Sequence, residues 1–337
     1  MQAVHSGIDS QPLLTIAVPT FNRSVFLDLC LKRISDELDS LSVEQRKLVK
    51  VYVSNNASTD STTEAISRHQ LMEAGEFEAV HNAENIGAEL NVAQCYTSAT
   101  TPYIWVFGDD DVILSGGLRK VLDVLLGQNI DALYVNNYWF KDNYMENPVR
   151  YGNRSISIYR DSVDFARRTN VMLTFISGLI VRSGIALEHF SGIVCGSNLP
   201  QLGWVLPLLR DGECFAVIED IVVAAKGSNS GGYGLVKVFG SNLKKITDDI
   251  LKDKPDVARA IQNGTIVNFF PSFILEFRRG SSRFEDKNMI DGLKKAFDGN
   301  WRYYVFLAPL FVLPISFACF YSLLLKVLRR LLRFALI

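Results

Sequence analysis

The chain has 337 residues, 48% of them apolar and 21% charged, with 23 glycines and 10 prolines. That mix excludes disordered, collagen-like and coiled-coil proteins, and the length provides core for one large domain or two smaller ones without disulfides or structural metal. The net charge of −1 gives no global basic field for nucleic acid, yet it conceals a split: residues 1–298 carry −6, and 299–337 carry +5 with no acidic residue at all.

The first 14 residues lack the basic start and long apolar stretch of a secretory signal. Leu13–Val18 is a short apolar run that reads as a strand, followed by a helix carrying Val25, Leu27, Leu29, Leu31 and Ile34 and capped by Asn22 or Ser24. Leu48–Val53 is β-branched and strand-like, and ends in the polar loop Ser54–Asp60 before a short helix. Phe77–His81 reads as a third strand, Ile86–Ala99 as a helix, and Tyr103–Phe107 as a buried strand stopping at Gly108-Asp109-Asp110-Asp111. Ser115 then caps a helix through Leu126, and Ala132–Tyr138 is a further strand. This alternation predicts an α/β fold with right-handed βαβ units and a mostly parallel sheet flanked by helices.

Beyond Asn143 the pattern loosens. A strand over Arg154–Arg160, a helical turn over Val163–Arg168, the apolar run Phe175–Val181, a helix over Leu199–Leu209 and a long strand over Cys214–Ala225 are expected. Lys226–Gly234 is a loop of small residues with one cation and one tyrosine, suited to close over a ligand as a lid. Helices fill Leu235–Leu251, Asp256–Arg279 and Glu285–Phe297. The five cysteines, an odd number without a CxxC pair, argue against a disulfide framework or zinc site and fit a reducing cytosol.

In a sheet of this kind ligands sit at the carboxyl ends of the strands. Pro19–Arg23, Ser54–Asp60, Asn82–Gly87 and Asp109–Asp111 all fall there, so four polar loops share one edge. Three adjacent carboxylates repel one another unless a cation is present, and Mg²⁺ or Mn²⁺ takes one or two carboxylates together with phosphate oxygens. Asparagine amides pair with a base edge through a donor and an acceptor, and Gly87 lets a ligand approach the backbone.

The ordered set Val18-Pro19-Thr20-Phe21-Asn22-Arg23, Val53–Asp60, Asn85-Ile86-Gly87 with Asn91, and the Asp triplet resembles the family-2 glycosyltransferases of GT-A (Rossmann-like) fold over roughly residues 12–140. The Gly-Asp-Asp-Asp form resembles the abequosyltransferase-like branch that works in bacterial surface-polysaccharide assembly. The resemblance implies a metal-dependent, inverting transfer of a sugar from a nucleotide-sugar donor to a saccharide acceptor, lipid-linked in that setting. It implies that Pro19, Thr20, Asn22 and Arg23 line the nucleotide pocket. Asn55 or Asn56 would face the base where the family often has Asp, and Asp60, Asn85 and Gly87 would complete the base and ribose site. The family's Asp-x-Asp motif aligns in two ways. On the strand, Asp109 lies near the ribose and Asp110 is the metal ligand; on the acids, Asp109 and Asp111 are the pair. All three are retained as metal candidates, and Lys226 as a donor contact through the lid.

Inverting transfer also needs a general base. The family draws it from an acidic pair opening a helix in the second half, but here that helix begins Ser197-Asn198-Leu199-Pro200 without a carboxylate. Asp220 is the first candidate and Glu188 the second, with His189 and Glu213 also near in sequence. Two other readings compete: a nucleotidyltransferase acting on sugar phosphates, and a non-catalytic sugar-binding protein derived from a transferase. The absence of a Gly-rich basic loop after the first strand disfavours the former, and the retained Asp triplet the latter.

The expected organisation is a nucleotide-sugar-binding half over 1–140, an acceptor half over 141–240, a helical extension over 241–300 and a membrane-associating tail over 301–337. Tyr303–Leu325 is uncharged and long enough to span a bilayer, but Pro309 and Pro314 interrupt it. Cytoplasmic donors and the basic end after Leu325 favour a monotopic attachment on the cytoplasmic face of the cell membrane.

Overall fold

The computed structural model describes residues 11–69, 77–145, 156–188, 190–227, 233–281 and 288–331. In chain order, β1 (Leu14–Thr20) leads into α1 (Ser24–Asp39) and the short α2 (Val43–Arg46). Then come β2 (Val49–Asn55), α3 (Thr62–His69), β3 (Phe77–His81), α4 (Ala88–Thr97) and β4 (Tyr103–Val106). The two-residue β5 (Val112–Ile113), α5 (Gly117–Gly127), β6 (Ala132–Phe140), β7 (Ile156–Tyr159) and α6 (Ser162–Thr169) follow. β8 (Leu179–Arg182), α7 (Leu202–Asp211) and β9 (Phe215–Lys226) precede a helical remainder. Its α-helices are α8 (Leu243–Ile250), α9 (Pro255–Gly264), α10 (Phe270–Arg278), α11 (Met289–Ala296), α12 (Ala308–Val312) and α13 (Ile315–Leu331). The chain forms two units: Met1–Ile156 with Leu179–Gly184 and Ile218–Lys226, and Ser157–Gly178 with Ile185–Val217 and Gly227–Ile337.

The first unit is built on a sheet of order β3-β2-β1-β4-β8-β6-β9-β5. β1 is parallel to β2 (Thr20 opposite Asn55) and to β4 (Ala17 opposite Val106), and β2 is parallel to β3 (Asn55 opposite His81). Leu14, Ile16, Ala17 and Val18 are fully buried, as a strand covered on both faces requires. The mostly parallel sheet expected from the sequence is corrected to a mixed one. β8 runs antiparallel between β4 and β6, with Ile180 opposite both Trp105 and Leu133, and β5 is antiparallel to β9. Strand–helix alternation reports only on strands joined by crossover helices. β8 enters the sheet after β7, α6 and two short 3-10 turns, a sequence that carries no βαβ rhythm.

α1 turns Leu27, Cys30, Leu31, Ile34 and Leu38 inward, a helical stripe at three- and four-residue spacing. Neither Asn22 nor Ser24 caps it with a side chain; the carboxylate of Asp60 accepts the Ser24 N–H at 3.1 Å instead. Ser115 likewise does not cap α5. Buried Glu37 accepts the N–H groups of Gly116 at 3.1 Å and Leu118 at 3.2 Å, placing its charge at the helix N-terminus. Burial nevertheless raises the Glu37 pKa, with those N–H groups and Arg33 opposing the rise.

In the second unit Phe165 stacks on Phe215, with ring centroids 5.1 Å apart. A larger apolar cluster joins Val236, Ile266, Phe270, Ile274, Leu293 and Phe297 to Tyr303, Phe306, Leu307, Leu310, Ala318 and Leu325. With the half-buried Val305, Ala308, Phe311, Leu313, Cys319 and Tyr321 packed against it, about half of the uncharged run Tyr303–Leu325 contributes side chains to a protein core. Pro314 separates α12 from α13, and among the described residues no helix is long and apolar enough to cross a membrane.

Candidate active site

The carboxyl ends of β1, β2 and β4 lie side by side, and their loops meet. Arg23 Nη1 donates to Asp110 Oδ2 at 2.5 Å and to Asp109 Oδ1 at 3.4 Å, while Thr20 Oγ1 donates to Asp109 Oδ2 at 2.7 Å. Burial lifts the Asp109 carboxyl to about 7; Arg23 opposes the rise and Asp110 adds to it. Burial works against the Arg23 charge, but Asp109 and Asp110 outweigh it and raise its pKa. Burial, helped by Asp109, Asp111 and Asp110, pushes the Cys30 thiol well up; its Sγ donates to the Gly108 carbonyl at 3.8 Å.

Asp111, also buried, accepts the backbone N–H of Lys226 at 2.8 Å. The β5–β9 ladder makes this contact possible, because Val112 stands opposite Ala224. The Lys226 ammonium lies 5.3 Å from the centre of the Phe140 ring and 5.9 Å from that of Phe26. The Arg23 guanidinium is 5.9 Å from the same Phe26 ring. Two cations thus attend one half-exposed aromatic ring beside the Asp triplet. Neither phenylalanine was among the residues picked from the sequence. The three-residue spacing of Arg23 and Phe26 at a helix start was the available signal for Phe26.

The asparagine loops are tied together internally. Asn55 Nδ2 contacts Thr63 Oγ1 at 3.3 Å and His81 Nδ1 at 3.1 Å, and Asn55 Oδ1 accepts the Ser58 N–H at 3.1 Å. Asn56 donates to Asn85 Oδ1 at 2.8 Å and accepts from Asn82 Nδ2 at 3.1 Å and the Ile86 N–H at 3.0 Å. Asn91 holds Ser54 through both its hydroxyl and its carbonyl. These amides brace the β2 and β3 loops against each other, a use their buried positions require. Asn22, at a positive φ of 52°, accepts the Thr59 N–H at 2.7 Å and donates its own N–H to Ser58, joining the first loop to the second. Asp60 is exposed; burial, the largest single cause, raises its pKa, but the bonds from Thr62 and Ser24 together prevail and lower it. Gly87 has φ 87° and ψ 155°, backbone that a side chain would strain, and it opens α4.

Asp220 is not brought into this cluster. Asp220 is buried on β9 and pairs with Lys120 of α5. It precedes Lys226 by six strand residues, about 20 Å along β9. The side chain of neighbouring Glu219 is 3.4 Å from Asn136 Nδ2. Glu188 is exposed in the second unit, and His189 and the central lid residues Ser228–Gly232 lie outside the described residues. Trp204 is core, whereas Trp139 is exposed.

Among the described residues no three His, Cys, Asp or Glu side chains converge on one point as a self-sufficient metal cage. The donor set still fits a hard divalent cation that keeps part of its coordination for phosphate oxygens. Asp109 and Asp110 already share one cation, the Arg23 guanidinium, and both offer carboxylate oxygen.

Residues 15–188, more than half of the chain, match the family model described as glycosyl transferase family 2. The abequosyltransferase RfbV of Salmonella typhimurium is 27% identical over 119 residues, covering 35% of this chain and 34% of that protein. The matched stretch thus spans about a third of that relative's length. The crystal structure of S. aureus TarS 1–349 in complex with UDP superposes with a TM-score of 0.58 at 13% identity, covering 93% of this chain and 88% of that one. A mannosyltransferase from Pyrobaculum calidifontis, in complex with GDP-Man and Mn²⁺, gives a TM-score of 0.51 at 15% identity over 94% and 86% of the two chains. At such identities the structural likenesses speak for the fold alone: an α/β, GT-A-like arrangement of a mixed sheet and helices.

Proposed function

Because this chain belongs to glycosyl transferase family 2 and is a glycosyltransferase, we propose that it moves a sugar, with inversion, from a nucleotide-sugar donor to a saccharide acceptor in cell-surface polysaccharide synthesis. The acceptor on this reading is lipid-linked. The observation that carries the donor assignment is the cluster of Thr20, Arg23, Asp109 and Asp110 at the carboxyl edge of the sheet, with Lys226 beside it. Solved relatives with UDP or with GDP-Man and Mn²⁺ support a nucleotide-sugar donor and divalent metal use.

On this reading the braced loops Ser54–Asp60 and Asn82–Gly87 form the wall against which base and ribose lie, and their internal hydrogen bonds keep that wall rigid. Arg23 and Lys226 face the diphosphate and offset the charge that grows on it as the bond to the anomeric carbon breaks. Asp110, with Asp109 or Asp111, would hold a Mg²⁺ or Mn²⁺ ion, which when bound supplies Lewis-acid charge to the leaving diphosphate. The acceptor hydroxyl attacks the anomeric carbon from the opposite face and gives up its proton to a base. The separation of Asp220 from Lys226 argues against Asp220 in that role.

A thermal-shift screen of UDP-, GDP-, CDP- and dTDP-sugars with and without Mn²⁺ tests the donor reading, since a specific ligand stabilises the folded state. One nucleotide series should raise the melting temperature, and Asp110→Asn should abolish transfer in a folded protein. Full activity in EDTA would remove the metal from the proposal, and retention at the anomeric carbon would remove inversion.

A further inference from the structure

α13 is two-faced in an unusual way. Ala318, Ser322 and Leu325, spaced by four and three residues, are buried and define its inward side. Phe317, Phe320, Leu323, Leu324, Val327 and Leu328 occupy the opposite arc and are exposed, Phe317 by 65% and Phe320 by 61%. Scattered exposed apolar residues are ordinary, but a continuous arc of six on one helix is not. A helix that met only water would carry charge on this side.

The charge around it points to the occupant. From Gly299 to Ile337 the chain contains Arg302, Lys326, Arg329, Arg330 and Arg333 and no acidic residue. A second copy packed on the same face by two-fold symmetry would bring the same acid-free, cationic segment to the contact and leave those charges without complement. An anionic lipid surface offers both the apolar depth and the opposite charge. Over its described residues α13 has 17 residues and is about 26 Å long, short of a bilayer's hydrocarbon core. One of its sides is moreover committed to the protein core. We propose that the Phe317–Leu328 face of α13 seats the protein on an anionic membrane, the helix lying in the interfacial plane and not crossing it. The proposal stands apart from the sugar-transfer reading.

Flotation of the full chain with phosphatidylcholine vesicles, with and without phosphatidylglycerol, tests this. Binding should be at least about tenfold stronger to the anionic vesicles and should weaken with added salt. The triple variant Phe317→Ser, Phe320→Ser, Leu324→Ser should lose flotation while keeping its circular dichroism, because all three side chains are exposed. Lys326→Gln should reduce the preference for anionic vesicles and remain folded. Equal binding to neutral and anionic vesicles, or none to either, overturns the proposal. So does light scattering that shows a dimer which the triple variant dissolves while vesicle binding is absent.

Discussion

Arg23 reaches Asp110 from Nη1 at 2.5 Å while the same nitrogen stands 3.4 Å from Asp109, so one guanidinium spans two of three consecutive carboxylates. If that cation and a divalent metal share these oxygens, removing it should favour the metal. Arg23→Met is expected to bind Mn²⁺ about tenfold more tightly, read from the free-ion signal in electron paramagnetic resonance. On the proposed reading the diphosphate also loses a preorganised cation, so kcat/KM should fall on the order of 10²-fold. Unchanged Mn²⁺ affinity would show that arginine and metal occupy separate places.

Asp109 gives a signed pH effect. Burial raises its folded pKa to about 7, above the ~3.9 of an unfolded chain. The folded state therefore binds more protons between those values, so the stability Asp109 contributes is complete below pH ~4 and is lost as pH rises through ~7. In metal-free protein, Asp109→Asn should gain on the parent by an amount on the order of 1–3 kcal/mol between pH 5 and pH 8, measured by urea unfolding at both values. Adding Mn²⁺ should stabilise the parent more at pH 8 than at pH 6, since ligation needs the ionised carboxylate.

Asn56 serves Asn85, Asn82 and the Ile86 N–H at once from a buried position. Asn56→Ala removes these three hydrogen bonds and takes from the Ile86 N–H its acceptor, at a cost of about 1–3 kcal/mol. On the proposed reading the loop is a wall and not a reacting group, so donor KM should rise more than kcat falls. Steady-state kinetics separates the two, and a fall confined to kcat would place Asn56 at the chemistry.

For Asp220 the expectation is the reverse. Its carboxylate is buried against Lys120. With the lysine partly exposed, Asp220→Asn should cost stability on the order of 1–3 kcal/mol. Turnover of the surviving folded protein should stay within a factor of about three, well under the 10²-fold that losing a general base costs. A collapse of kcat without loss of stability would return Asp220 to the catalytic role.

The gathering of polar loops on one edge was legible from chain order because each loop is local. Thr20 to Arg23, Asn55 to Asp60 and the Asp triplet each follow an apolar strand, and parallel strands deliver their carboxyl ends to one side. Their internal allegiances were not legible. Nothing in the pattern around Asn55 and Asn56 distinguishes an amide that meets a base from one that ties loop to loop. Which it does depends on whether Thr63, His81, Asn82 and Asn85 come within reach.

What the amino-acid order determined by itself was periodicity: which stretches are strand or helix, and that the last 39 residues are cationic and acid-free. What only the tertiary structure decided was pairing across long separations. β8 slips antiparallel between β4 and β6; Glu37 caps α5 from α1; Lys226 meets Asp111 across 115 residues. Half of the apolar run before Leu325 becomes core, while one side of α13 remains uncovered. Periodicity is a property of neighbours along the chain and is written in them. A long-range partner is chosen by the free energy of the whole packed arrangement, in which a carboxylate or a leucine takes the best partner the fold brings near it.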